Sequence, residues 1–408
     1  MGRNKGSLNK PKTTTLKVLS FDRQVEGSPI TRNSSQGWVN YGLNNNMPEM
    51  LLDLYNQSPT HQSAIKFGVQ SIVGEGIDYD AMQVDGTQLV PNYYESWDAV
   101  LRHISFDYML FGSFAIEIIK NKDGKTYSFW HIPLYKVRWG EYDDDGQITE
   151  YYICSDWTKV SQIGATKVKA FDMQTEIKQG EPYLFVYRDY TPTMTYYTAP
   201  IYQAGLKAIQ SEIEAINFDL KSAFNSFVPS GMLVLPQQES EEDKQTIIKE
   251  ISRMFQGTNN ANSLMVTFRN SVEDNQPEFV PFQSNTGNVN LFESADIRAR
   301  ARILSSHQIP DAALCGLPSI GQTGFSSEAA KLETAYKVYN KLVGNYNRNA
   351  VVGTINFMLR LNGIDVELVL KPMTFGLEEN EQPKKTNEQP QEVDKAQDNE
   401  IEEKVEGA

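Results

Sequence analysis

Cysteine is nearly absent: Cys154 and Cys315 are the only two in 408 residues. A pair about 160 positions apart is neither a disulfide framework nor a zinc spacing. It fits a reducing compartment, with each thiol a small buried hydrophobe. The four histidines, His61, His103, His131 and His307, are scattered without metal-ligand spacing and read as structural. No run of eighteen apolar residues occurs, so no membrane-crossing helix is expected. The opening MGRNKGSLNKPKTTT has no apolar h-region and is not a secretory signal. Catalytic signatures are missing too. No Gly-x-Ser-x-Gly elbow occurs. Asp143-Asp144-Asp145-Gly146 lacks the alternating ligands and distant Glu of a calcium loop and reads as a hairpin turn. The glycine-rich Gly316–Phe325 has no Lys-Ser/Thr after Gly324 and no apolar strand before Gly316, which excludes a Walker-type site. The expectation is a chain with no cofactor, no metal and no enzymatic activity.

What is present is an ordinary globular balance, 40% hydrophobic and 22% charged, with a net charge of −14. The length allows two or three core-bearing units. The acidic balance argues against a protein that coats phosphates with Lys and Arg. It is compatible with a wall past which DNA slides, because an acidic wall repels phosphate. The two ends differ in sign. Residues 1–35 hold seven basic residues against Asp22 and Glu26, about +5, and the segment from Glu378 onward is about −7. Neither has apolar periodicity, so residues 1–37 read as a flexible basic arm and 376–408 as a disordered acidic tail. Each reads either as solvated chain or, for the basic arm, as a contact for DNA or an acidic neighbour.

Periodicity organises the rest. Helices are expected over 47–56, 60–72 and 95–111, followed by a change of period from 3.6 to 2. Two hairpins turn at Lys122-Asp123-Gly124 and Asp144-Asp145-Gly146, and a further strand covers 182–190. Residues 38–199 are thus an α+β unit. A long helix is expected over 200–227, with Pro200 in its first turn and an apolar face including Ala204, Ile213, Ile216 and Leu220. Residues 228–291 read as a small βαβ-like insert. A second helix, 292–309, stops before Pro310. Residues 310–325, with three glycines and two prolines, form a loop. A long helix then runs from Ser326 to a Gly363 cap with a kink at 344–349, and IDVELVLKPM is expected to be a final strand.

Two blocks carry a resemblance. One is WVNYGLNNNMPEMLLDLYNQSPTHQSAIKFGVQSIVGEGI (Trp38–Ile77), with its Ser58-Pro59-Thr60-His61 step into a helix. The other runs from FESADIRARARILSSHQIPDAALCG (Phe292–Gly316) through LPSIGQTGF to the helix ending at Gly363. In this order and spacing they resemble the portal proteins of tailed bacteriophages, and the first block is similar to portals of phages infecting Bacteroidetes-like hosts. The resemblance covers most of residues 38–372.

The resemblance implies an α+β, portal-like fold: an α+β wing (38–199), a stem helix (200–227), a clip (228–291), a second stem helix (292–309), a tunnel loop (310–325), and a long brace helix with a terminal strand (326–375). It implies a ring of about twelve subunits at one capsid vertex, through which double-stranded DNA is packaged and ejected. The implied partners are further copies of the chain, the terminase large subunit, the major capsid or scaffold protein and a head-completion adaptor. No membrane is involved. Leu317, Ser319, Ile320, Gln322 and Thr323 would then be tunnel-loop residues near DNA, uncharged and so unable to hold phosphate firmly. Arg298, Arg300 and Arg302 either ring the DNA or pair with acids of neighbouring subunits on the Glu212–Asp219 face. A strongly binding ring would hinder sliding, which favours subunit pairing. Two other classes remain open: a monomeric virion adaptor or scaffold using residues 228–290, and an enzyme acting on phosphate or nucleic acid through the glycine loop. Self-association separates the first from the portal reading, and sensitivity of an activity to Gly321 or Gly324 would mark the second.

Overall fold

The computed structural model describes residues 36–86, 89–173, 176–192, 194–225, 231–236, 240–255, 264–268, 276–281, 286–318 and 329–375. Both charged ends lie outside these, as do Ser319, Ile320, Gln322 and Thr323.

A serine between two helices sets the first corner. Helix α1 (Met47–Gln57) ends at Ser58, and the Ser58 hydroxyl accepts the His61 N–H to cap α2 (Pro59–Val73), with Pro59 in the first turn. Gly74 ends α2 at a φ of +62°, and a short α3 (Tyr79–Met82) follows. Helix α4 (Trp97–Phe111) buries Trp97, Leu101, Ile104 and Tyr108 on one stripe, as its spacing predicts.

The expected hairpin strands are all present: β2 (Ser113–Lys120) with β3 (Tyr127–Ile132), and β4 (Val137–Gly140) with β5 (Glu150–Ile153). In the first turn the Asp123 carboxylate takes the Lys125 and Thr126 N–H groups; in the second, Asp143 takes those of Asp145 and Gln147. Strand β7 (Pro182–Arg188) pairs with β2. Two strands were not anticipated. β1 (Trp38–Val39) is too short to show a period, and β6 (Thr166–Ala170) buries only Val168 between outward lysines. The sheet order is β1-β4-β5-β6-β7-β2-β3, with β6 and β7 its one parallel pair. A single helical turn, α5 (Val160–Ile163), precedes β6.

Arg138 on β4 is fully buried. It donates to the carbonyls of Asn45, Tyr135 and Val137, to the Asn45 side chain and to Glu49, and lies 4.7 Å from the Trp157 ring. At the opposite edge, Asn362 mimics a strand residue: its side chain accepts the Tyr127 N–H at 2.7 Å and donates to the Tyr127 carbonyl at 3.0 Å. Phe129 is closed by the Pro91 carbonyl and the Asn92 side chain.

The long helix expected from residue 200 begins later. A short 3-10 turn (Gln203–Gly205) leads into α6 (Leu206–Asn225), whose described length is about 30 Å. The insert is a βαβ unit as predicted: β8 (Gly231–Leu235) and β9 (Leu264–Phe268) are parallel, joined through α7 (Glu241–Phe255). A third strand, β10 (Glu278–Pro281), pairs antiparallel with β8. Helix α8 (Thr286–Ser306) starts six residues earlier than expected and packs along α6. The loop from Pro310 begins with an ordered 3-10 turn (Ala312–Cys315) capped by Asp311.

The long helix expected from Ser326 is α9 (Ala329–Tyr339), a π-helical turn (Asn340–Gly344) and α10 (Asn345–Leu361). The expected kink is thus a π turn lying mainly before the predicted site. Residues 364–375 do not form the predicted strand. They run extended beside the turn after α2, exchanging backbone bonds with Glu75, Gly76 and Asp78, and only Leu370 makes a bridge, to Ile77. The irregular turn offers no strand edge to continue. Cys154 and Cys315 are unpaired, and burial with the nearby Asp311 pushes the Cys315 thiol up to about 12.

Candidate functional site where α2, α6 and α8 meet

The Ser-Pro-Thr-His step contacts both long helices. The Ser58 hydroxyl, besides capping α2, donates to Glu212 of α6. Thr60 Oγ1 donates to Glu212 Oε1 at 2.5 Å. Glu212 is 1% exposed, and Arg300 Nε of α8 lies 4.0 Å from the same oxygen. His61 Nδ1 lies 3.0 Å from Nε2 of His307, the first residue after α8. Burial drives both imidazole pKa values down, that of His307 to about 3, and the neighbouring ring lowers His61 further. Both rings are therefore neutral near pH 7, with one N–H donating to the other. The Tyr202 ring stacks on His307 and leans on His61, and its hydroxyl donates to the Leu110 carbonyl at 2.6 Å. At Gly205 a Cβ would fall 2.2 Å from the Ser306 hydroxyl, so the start of α6 and the end of α8 touch.

Neither imidazole is poised to exchange a proton near neutrality. The arrangement is a joint that fixes the angle of the α6–α8 pair on the sheet unit. Among the described residues no three His, Cys, Asp or Glu side chains could hold a metal, and no helix is long and apolar enough to cross a membrane.

The residues singled out in the sequence separate into two sets. Glu212, expected at a subunit boundary, is inside its own chain, because a buried carboxylate needs donors and Ser58 and Thr60 supply them. Arg300 pairs with Asp296 at 2.9 Å on its own helix. Asp219, Arg298 and Arg302 are exposed, and the two arginines pair with no acid among the described residues. Leu317 is half-buried against a small core that includes Phe67, Leu304 and Tyr339, so the loop is anchored there. The histidine pair escaped sequence reasoning, since its members are 246 positions apart. The one signal for it was the Ser-Pro-Thr-His step itself.

Beyond the joint, the apolar stripe of α6 outruns its cover. Ile213 is buried, but Ile216 and Leu220 on the same face are 40% and 54% exposed. Beside the π turn lies a hollow of about 310 Å³ lined by Tyr108, Asp189, Tyr190, Leu342 and Tyr346, among others.

No protein-family model matches the chain, and no curated protein matches it by sequence. Solved structures do match. A chain in the neck of the empty gene transfer agent particle, computed with C6 symmetry, shares 17% identity over 80% of this chain and 84% of that one, with a TM-score of 0.55. A chain in the neck of the native particle, computed with C12 symmetry, gives 16%, 80%, 83% and 0.54. An HK97-family phage portal protein from Corynebacterium diphtheriae matches more loosely, at 13% identity over 78% of this chain and 95% of that one, with a TM-score of 0.42. The α+β architecture with its long helix pair and its long broken helix is therefore a fold shared with a chain of the gene transfer agent neck.

Proposed function

We propose that this chain is a portal protein of a phage or phage-derived particle. Its copies form a ring at one capsid vertex that conducts double-stranded DNA during packaging and ejection. The observation that carries the reading is the likeness to a neck chain over 80% of this chain, combined with an α6–α8 pair whose apolar stripe projects past its own core. Copies packed side by side would cover such a stripe. In this reading residues 228–291 face the packaging terminase and later a head-completion adaptor, and the sheet unit faces capsid or scaffold protein. The loop from 310 to 325 reaches into the channel. Leu317 anchors it, and Ser319, Ile320, Gln322 and Thr323 form the part offered to DNA. Asp219, Arg298 and Arg302 lie where neighbours meet.

The test is the mass and shape of the full chain, by native mass spectrometry and negative-stain imaging, alone and with capsid or scaffold protein. Rings near 550 kDa, about twelve times the 46.2 kDa chain, with a central hole are expected. A monomer under every condition would remove the proposal.

A further inference from the structure

The α8 helix has two different flanks. Ala301, Leu304 and Gln308 line one hollow together with Leu342. That hollow adjoins, through Gln308 and Leu342, the one around Asp189. Ala299, Arg302 and Ser306 line another hollow, together with Lys207 of α6. Ser305 borders both hollows, so they lie on adjoining faces of the helix with Arg302 on the side away from Leu304.

The floor of the first region is negative. Asp189 accepts the hydroxyls of Tyr108 at 2.6 Å, Tyr187 at 3.1 Å and Tyr346 at 3.3 Å. Burial and the carboxylate push the Tyr108 and Tyr187 hydroxyls far above their ordinary value, so they stay neutral donors. They solvate the carboxylate without cancelling its charge, and no basic side chain pairs with Asp189 among the described residues. The carbonyl-rich end of α4, at Tyr108 and Gly112, adds to the negative potential. The walls are bare: Tyr190, Leu342 and Tyr346 are 87%, 65% and 63% exposed. An uncancelled carboxylate beside exposed aromatic faces suits a guanidinium, which pairs with the acid and lies on the rings.

An acid-floored hollow and an exposed arginine at separate places on one chain are the layout of a head-to-tail contact, in which different patches of successive copies meet. We propose that the Asp189 hollow receives Arg302 of a second copy of this chain, and that the same contact covers Leu342 and Tyr346. This rests on the ring reading above and names the surfaces through which the ring closes.

The test measures ring assembly of the full chain against concentration, with capsid protein present if wild type needs it, for wild type, Asp189→Asn, Arg302→Gln and the double variant. Each single variant should raise the concentration for half-assembly about tenfold, and the double variant should lose no more than either single one. If Asp189→Asn fails to fold, Arg302→Gln with Leu342→Asp decides, since both replace exposed side chains and both should impair assembly. Rings that ignore these substitutions, or single losses that multiply in the double variant, overturn this contact and leave the ring reading standing. A wild type that never forms rings overturns both.

Discussion

The sheet unit and the insert between α6 and α8 use similar elements and end in opposite relations to water. In the sheet unit, period-2 strands and the α4 stripe meet in one core, with Trp97, Trp139, Phe114, Phe129 and Ile65 all nearly inaccessible. In the insert, no described side chain of β8, α7, β9 or β10 is buried, and Ile248 on α7 is exposed. The α7 sequence is amphipathic, and of its described apolar residues Ile248 is exposed and Ile247 half-buried. One unit closes its core within a single chain. The described part of the other, like Ile216 and Leu220 of α6, leaves apolar side chains open to solvent.

The largest expected effect falls where the sheet unit is most committed. Arg138→Leu would leave the carbonyls of Asn45, Tyr135 and Val137 and the side chains of Asn45 and Glu49 without their buried donor, and stability should drop by about 3–5 kcal/mol. Thermal and urea unfolding of the purified chain would show it, and a loss under 1 kcal/mol would mean the buried network is dispensable. A middle effect is expected at the joint. The folded-state pKa of His307, and that of His61, lies below the unfolded value near 6.5, so the unfolded chain binds more protons between these values. Their contribution is therefore complete above pH 6.5 and is lost as pH falls toward 3, by up to about 1.4 kcal/mol per pH unit for His307. Melting curves at pH 7.5 and 5.0, for wild type and His307→Gln, would test this; equal pH slopes in the two would remove the pair from the account. The smallest effect belongs to the insert. Ile248→Ala should change the stability of the isolated chain by no more than about 0.5 kcal/mol. A cost above 2 kcal/mol would erase the contrast between the two units.

Most of the sheet unit was legible because its signals are local: alternation over six to eight residues, Asp-Gly turns and a single helical stripe. What was not legible depended on distant partners. The pairing of β1 with β4 spans a hundred positions, and two residues carry no period. IDVELVLKPM alternates well enough to be read as a strand, yet it lies against a turn rather than a sheet edge. Glu212 looked like a surface acid because the hydroxyls that hold it come from another helix more than 150 positions earlier. The Ser-Pro-Thr-His step reads as a turn into a helix, and three of its residues, Ser58, Thr60 and His61, cap α2 and reach α6 and the residue that follows α8.

The Asn362 side chain has a consequence for crowding. A β-sheet with a bare rim can recruit the rim of any neighbour, and copies held side by side would find one another at high local concentration. By occupying both backbone groups of Tyr127, with Pro91 and Asn92 occupying those of Phe129, the chain withdraws that rim from recruitment. Strand pairing between copies is then closed off at this edge of the sheet, and the contacts left to it are those made by faces and side chains.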